Sequence, residues 1–174
     1  MQDRRTATSS PGKKPEGGPV CTVSPAAGAD APTLAELHAE AFQPGWSATE
    51  LAAYCNAPNS ALLKATADGV ILGLVVLQFA AGEAEILSIA VRKDSRQSGV
   101  GSSLLAGAIS FCEEMRVSHL YLEVAEANHP ALTLYKKFGF QIFGVRKNYY
   151  LNEAEQSHNA FVMRLTIGAG RGKR

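Results

Sequence analysis

The chain has 174 residues, 46% of them hydrophobic and 19% charged, with a formal net charge of +1; that is enough apolar sequence for one core, since domains run ~100–200 residues. The near-neutral balance provides no global field for nucleic acid or an anionic surface, and no apolar run approaches the ~20 residues needed to span a bilayer. Three cysteines, Cys21, Cys55 and Cys112, show neither CxxC nor Cys/His spacing, which points to free thiols in a reducing cytosol rather than a disulfide framework or a zinc site.

Residues 1–19 are rich in Ser, Gly, Pro, Lys and Arg and offer almost nothing to bury, so they read as a disordered basic lead-in. The Arg4-Arg5 pair has the look of a twin-arginine export signal, but the stretch behind it is polar and Gly/Pro-rich where such a signal is apolar. A cytoplasmic protein is expected. One domain is expected over residues 20–167. Residues 168–174, with Arg171, Lys173 and Arg174, form a second basic tail, and both tails read as solvated rather than as RNA contacts.

Residues 20–23 fit a short strand, after which Leu34, Leu37, His38, Ala41 and Phe42 recur at helical spacing. Ser47 fits an N-cap, with Glu50 completing a capping box ahead of Leu51 and Tyr54. The period then changes. Residues 61–67, an Asp68-Gly69 turn and residues 70–79 predict a hairpin, and Ala81-Gly82 marks a second turn before a strand at 85–91, giving a three-stranded antiparallel meander. A polar loop at 92–98 leads into an amphipathic helix over 99–115, whose apolar stripe includes Cys112. A strand follows at 119–124. Asn128 can cap a further helix that runs to Phe138 and closes at Gly139, and residues 140–145 and 160–167 predict a final strand pair. No internal repeat is present.

The run Arg96-Gln97-Ser98-Gly99-Val100-Gly101-Ser102 lies between a strand and a helix start. Glycines let the backbone approach a ligand, and the unpaired N–H groups of a first helical turn suit a pyrophosphate. Alone this is weak evidence, because a ligand-free glycine turn reads the same way. It lacks the third glycine of the dinucleotide fingerprint and the Gly-Lys-Ser/Thr of a P-loop.

Downstream, Leu120-Tyr121-Leu122-Glu123-Val124 leads into Asn128-His-Pro-Ala131-Leu-Thr-Leu134-Tyr135 and a Gly139-Phe140 step. Loop, acidic strand and Asn-to-Tyr helix in this order resemble the GNAT superfamily, and Ser88-Ile89-Ala90-Val91, the Leu-Glu-Val step and Lys147-Asn148-Tyr149-Tyr150 are similar to its RimI-type enzymes. The resemblance covers roughly residues 35–165. It implies an α/β fold with a central, mostly antiparallel mixed sheet and flanking helices. The implied activity is transfer of an acetyl group from acetyl-CoA to a protein N-terminal α-amine, the N-terminal alanine of a small-subunit ribosomal protein. A monomer without nucleic-acid or membrane partners is expected. One departure is the glycine in Pro44-Gly45-Trp46-Ser47, where the family has Pro-Trp-Ser.

Attack of an amine on a thioester requires a neutral amine, donors for the carbonyl oxygen and a proton for the departing thiolate. Strand alternation puts Glu123 on the face of Tyr121 and opposite Leu122 and Val124; alone it reads as a solvated glutamate, and the resemblance implies a general base. Tyr135 alone reads as a half-buried helix tyrosine; the resemblance implies a general acid that also meets the coenzyme. The resemblance further implies that Ile89, Ala90 and Val91 lend backbone groups to the pantetheine arm, that Arg96, Gln97, Ser98, Gly99, Val100, Gly101 and Ser102 cradle the pyrophosphate, and that Asn128 touches the coenzyme. Trp46, Asn148 and Tyr149 are the candidate acceptor-groove residues, with an exposed loop as the plainer reading of 147–150. Deprotonating an α-amine near pKa 7.7–8.0 at neutral pH costs only about 1 kcal/mol, against over ~4 for lysine, so one carboxylate suffices for an N-terminus. A small-molecule amine as acceptor, or a non-catalytic acyl-CoA-binding module, stays open at this level. His38, His119, His129 and His158 lack ligand spacing, and no metal is expected.

Overall fold

The computed structural model describes residues 21–151 and 157–168. Strand β1 (Thr22–Pro25) is followed by a single 3-10 turn and by α1 (Ala31–Ala41), and α2 (Ala48–Asn56) starts at the expected capping box. There Ser47 N–H donates to Glu50 Oε2 at 2.7 Å and Glu50 N–H donates to Ser47 Oγ at 3.3 Å, closing two of the donors a helix start leaves open. Asp68 and Gly69 take φ of 50° and 77°, the left-handed pair a two-residue hairpin demands, so β2 (Ser60–Ala67) turns directly into β3 (Val70–Ala80). Ala81 and Gly82, at 51° and 79°, repeat the device into β4 (Glu83–Val91).

Helix α3 (Val100–Glu114) then crosses over to β5 (His119–Ala125), which lies parallel to β4; α4 (His129–Lys137), β6 (Gln141–Leu151) and β7 (Ser157–Thr166) complete the fold. The described strands form one sheet in the order β1-β2-β3-β4-β5-β7-β6, antiparallel except at β4/β5. This is the mixed, mostly antiparallel sheet that the sequence led us to expect. A crossover of this kind needs a helix to return the chain to the same end of the sheet, which is the task of α3.

Two details differ. Strand β1 lies two residues later than the expected 20–23, because its pairing with β2 (Val23 with Ala65, Pro25 with Leu63) sets its limits. Strands β6 and β7 outrun the apolar pattern that located them, since Arg146 joins the ladder through its backbone, opposite Ala160, rather than by burial.

One face of the sheet packs on α3 and α4, with Leu104, Leu105, Ala108 and Cys112 fully buried against Leu63, Val75, Leu77, Leu120 and Leu122. The other face packs on α1 and α2 over β2–β4 only, through Leu34, Leu37, Leu51, Leu74 and Val76. Each buried leucine contributes about 2 kcal/mol. Beyond β4 that second face carries a side-chain surface of its own, and the site lies there.

Candidate functional site

A β-bulge organises the site. Leu77 pairs with Ile86 and Val76 with Ser88, so Leu87 is an extra residue in β4. The insertion reverses the alternation: Ile86 packs with the α3 core, whereas Leu87, Ser88 and Ala90 turn toward α1. It also separates the two halves of the sheet. Strand β4 pairs with β5 only from Ala84 to Ile86, opposite Leu120 to Leu122. Past that point the strands diverge around a cleft of about 320 Å³ lined by Leu87, Ser88, Ile89, Glu123, Asn128 and Tyr135, among others. The backbone of Leu87 to Val91 faces this gap, as an extended ligand pairing like an added strand would require.

Glu123 and Tyr135 therefore line one cavity. Tyr135 comes from α4, 5% exposed and tilted against Phe140 at 5.8 Å, and burial pushes its phenol up to about 12. Glu123 also lines a second hollow of about 410 Å³ on the helix-free part of the sheet, together with Gln78, Glu83, Glu85, Tyr121 and Arg146. Its side chain is 16% exposed, and Arg146 Nε donates to Oε1 at 2.9 Å. Burial raises the pKa of Glu85, the Glu123 charge raises it further, and Arg146 opposes both. Farther along, Tyr121 O–H donates to Glu83 Oε1 at 3.2 Å and meets Phe143 edge-on at 5.9 Å, while the Arg164 guanidinium lies 4.4 Å above the Phe143 ring.

The glycine run lies against the end of β4 at the start of α3. Gly99 caps α3 with φ 94°, and the first helical bond runs from Ser103 N–H to the Gly99 carbonyl, so the N–H groups of Val100, Gly101 and Ser102 precede the ladder. Arg96 Nε donates to the Val91 carbonyl at 3.3 Å and Ser98 Oγ to the Ser95 carbonyl at 2.6 Å, which fold the loop onto the end of β4. Gln97 sits at φ 61°. A Cβ at Gly101 would meet only Leu134 at 3.5 Å and Val91 at 3.8 Å, ordinary contact distances. Asn128 caps α4, its side chain accepting from Ala131 N–H at 3.3 Å, and also borders the cleft. These residues fit a pyrophosphate at the helix start and an extended arm along β4, and among the described residues no group of His, Cys, Asp or Glu could hold a metal ion.

Trp46 lies outside the main cleft. It lines a smaller cavity of about 220 Å³ with His38, Phe42, Pro44, Leu87 and Ser88, which Phe42, Leu87 and Ser88 share with the main cleft. Gly45 explains the departure in this loop: a Cβ there would lie 2.7 Å from Ala39 Cα and 2.8 Å from Ala39 Cβ, so only glycine lets the chain press onto α1. The Gln43-Pro44 peptide is cis. Lys147 is exposed on β6, a strand where a loop was the plainer expectation, and the side chains of Asn148, Tyr149 and Tyr150 lie outside the described residues.

Three contributors carried no sequence signal: Arg146, Glu85 and His38. Nothing in their local patterns marks them, because each matters through a partner 23 to 50 residues away or across the sheet.

Residues 31–140 match the acetyltransferase (GNAT) family. A Salmonella typhimurium ribosomal protein bS18-alanine N-acetyltransferase is 36% identical over 105 residues, covering 60% of this chain and 70% of the relative. A Bacillus subtilis protein given that name provisionally is 39% identical over 100 residues, covering 58% of this chain and 64% of its own length. The crystal structure of the Escherichia coli ribosomal-protein-S18-alanine N-acetyltransferase superposes with a TM-score of 0.77 at 28% identity, covering 89% of this chain and 99% of that one. This chain belongs to the acetyltransferase (GNAT) family.

Proposed function

We propose that this protein transfers the acetyl group of acetyl-CoA to a protein N-terminal α-amine, and that its acceptor is the N-terminal alanine of a small-subunit ribosomal protein. The observation that carries the reading is the position of Glu123, on the wall shared by the β4/β5 cleft and the open groove. A thioester entering by the cleft and an amine entering by the groove meet at its carboxylate. The names of the relatives support the ribosomal acceptor. So does the small demand on the base: a single carboxylate suffices for an α-amine.

Acetyl-CoA supplies an activated thioester carbonyl and a thiolate leaving group. Val100, Gly101 and Ser102 offer backbone donors at a helix N-terminus to its pyrophosphate, with Arg96, Gln97, Ser98 and Gly99 shaping the turn. Ile89, Ala90 and Val91 offer their strand edge to the pantetheine arm, and Asn128 borders the same path. Glu123, held by Arg146, takes the proton of the incoming amine. Tyr135 keeps its own proton across the working pH range, because burial holds it near 12. Handing that proton fully to a thiolate near 8.5 is uphill by roughly 5 kcal/mol before bound charge shifts either value. Its role is therefore donation of a hydrogen bond to the departing sulfur, which stabilises the charge that gathers there. Trp46, Asn148 and Tyr149 border the acceptor, and the protein acts as a cytosolic monomer.

Mass-spectrometric assay of acetyl transfer from acetyl-CoA to alanine-starting ribosomal-protein peptides, beside a panel of free amines, tests the reading. Acetylated peptide N-termini are expected, and a preference for free amines would sink it.

A further inference from the structure

The tautomer of a buried histidine is settled by its neighbours. His38 is 2% exposed in α1, and the backbone N–H of Trp46 donates to its Nδ1 at 3.0 Å. Nδ1 must then carry a lone pair, so the neutral ring bears its proton on Nε2 and donates to Ser88 Oγ, also at 3.0 Å. Trp46 stacks on the ring at 4.9 Å with 15° between planes, Tyr54 stacks on Trp46 at 5.2 Å, and Phe42 lies 4.6 Å from the imidazole. Ser88 is the residue that the bulge at Leu87 turns toward α1. With β4 in regular register it would point into the α3 core, out of reach of His38.

We infer that His38 is a positioning residue for the acceptor, linking the 42–47 loop through Trp46 to the β4 bulge through Ser88. Both ends of the link border the cleft in which Glu123 and Tyr135 meet, since Phe42 and Ser88 line it. The loop also rests on α1 through the bare backbone of Gly45, the Phe42 N–H bond to the His38 carbonyl and the Phe42 and Trp46 rings packed on the imidazole. Losing either imidazole bond removes the polar link between this loop and the strand that borders the thioester, leaving ring packing alone. The inference rests on the acetyl-transfer reading of the site.

Asparagine at position 38 keeps an acceptor near Nδ1 and loses the Ser88 donor; glutamine keeps a donor near Nε2 and loses the Trp46 acceptor. Ser88→Ala is expected to raise the acceptor KM roughly three- to tenfold, the size of one lost neutral hydrogen bond, a larger change than in kcat. In His38→Asn the further change Ser88→Ala should add nothing, whereas in His38→Gln it should still cost. Selective ¹⁵N-histidine spectra of the full chain should show His38 protonated on Nε2. An Nδ1–H tautomer would overturn the inference, as would folded Ser88→Ala and His38→Asn proteins with unchanged acceptor KM. A wild-type protein that acetylates no peptide defeats the activity reading instead, and the tautomer and the Trp46 amide shift on Ser88→Ala then decide the coupling.

Discussion

Arg146 Nε lies 2.9 Å from Glu123 Oε1, joining the middle of β6 to the middle of β5 across the intervening β7. The pair sits in the groove beside Glu85, whose pKa is raised first by burial, then by the Glu123 charge, against the pull of Arg146. Glu123→Gln should therefore lower the Glu85 midpoint and Arg146→Ala should raise it further. Carboxylate ¹³C titration of the three proteins measures both, and shifts in the opposite senses would refute this picture of the groove.

A stability consequence follows from the same shift. The folded state holds the Glu85 proton more tightly than the unfolded chain, so the resulting stability is present below the unfolded midpoint and lost as pH rises through the folded one. At pH 7 the charged carboxylate opposes folding. Glu85→Gln should raise Tm by roughly 1–2 °C at pH 7, a small gain because the carboxylate is only partly buried and solvent screens it, and should leave it unchanged near pH ~3.

Tyr135→Phe should lower kcat by roughly 10- to 100-fold and leave CoA affinity nearly intact. Because the phenol titrates near 12, it does not lose its proton on the accessible alkaline side. The ratio of wild-type to variant kcat should be the same at neutral pH and two units above it. A ratio that falls toward one at the higher pH would show that Tyr135 ionises in the working range.

Gly99 and Gly101 separate backbone need from ligand room. Alanine at Gly99 must hold φ 94°, which costs about 1–3 kcal/mol, and urea denaturation should record that loss. Alanine at Gly101 meets no atom closer than 3.5 Å and gains helix propensity, so folding should be unharmed or improved by up to about 1 kcal/mol. Calorimetry should nevertheless show weaker CoA binding for Gly101→Ala if a ligand approaches the backbone there; full affinity would remove Gly101 from the cradle.

Gly45→Ala brings a Cβ within 2.8 Å of Ala39, and the loop must lift from α1 at a cost of about 1–3 kcal/mol. The melting temperature and the acceptor KM should both suffer. An undisturbed Trp46 emission spectrum in this variant would show that the loop does not depend on the contact.

Much of this site was legible in the chain because its signals are local. Glu123 alternates with Leu122 and Val124, Asn128 caps the helix that carries Tyr135, and Ser47 and Glu50 form a box three residues apart; each depends on backbone geometry within one or two turns. The bulge at Leu87 was not legible, since the burial of Ala84, Ile86, Ser88 and Ala90 alternates evenly while the faces they occupy switch. Arg146 read as part of a polar stretch beyond a short strand until the ladder with β7 carried it to Glu123. His38 matched a helix stripe, as an apolar residue would.

By itself the sequence determined the elements, their order and the candidate residues each carries, because helix period, strand alternation, caps and turns are fixed by neighbours in the chain. Tertiary structure alone decided which of those residues share a cavity. Strand order brings Arg146 to Glu123, one inserted residue turns Ser88 to His38, and the divergence of β4 from β5 opens the cleft. Such pairings depend on long-range packing of backbone that local pattern does not encode.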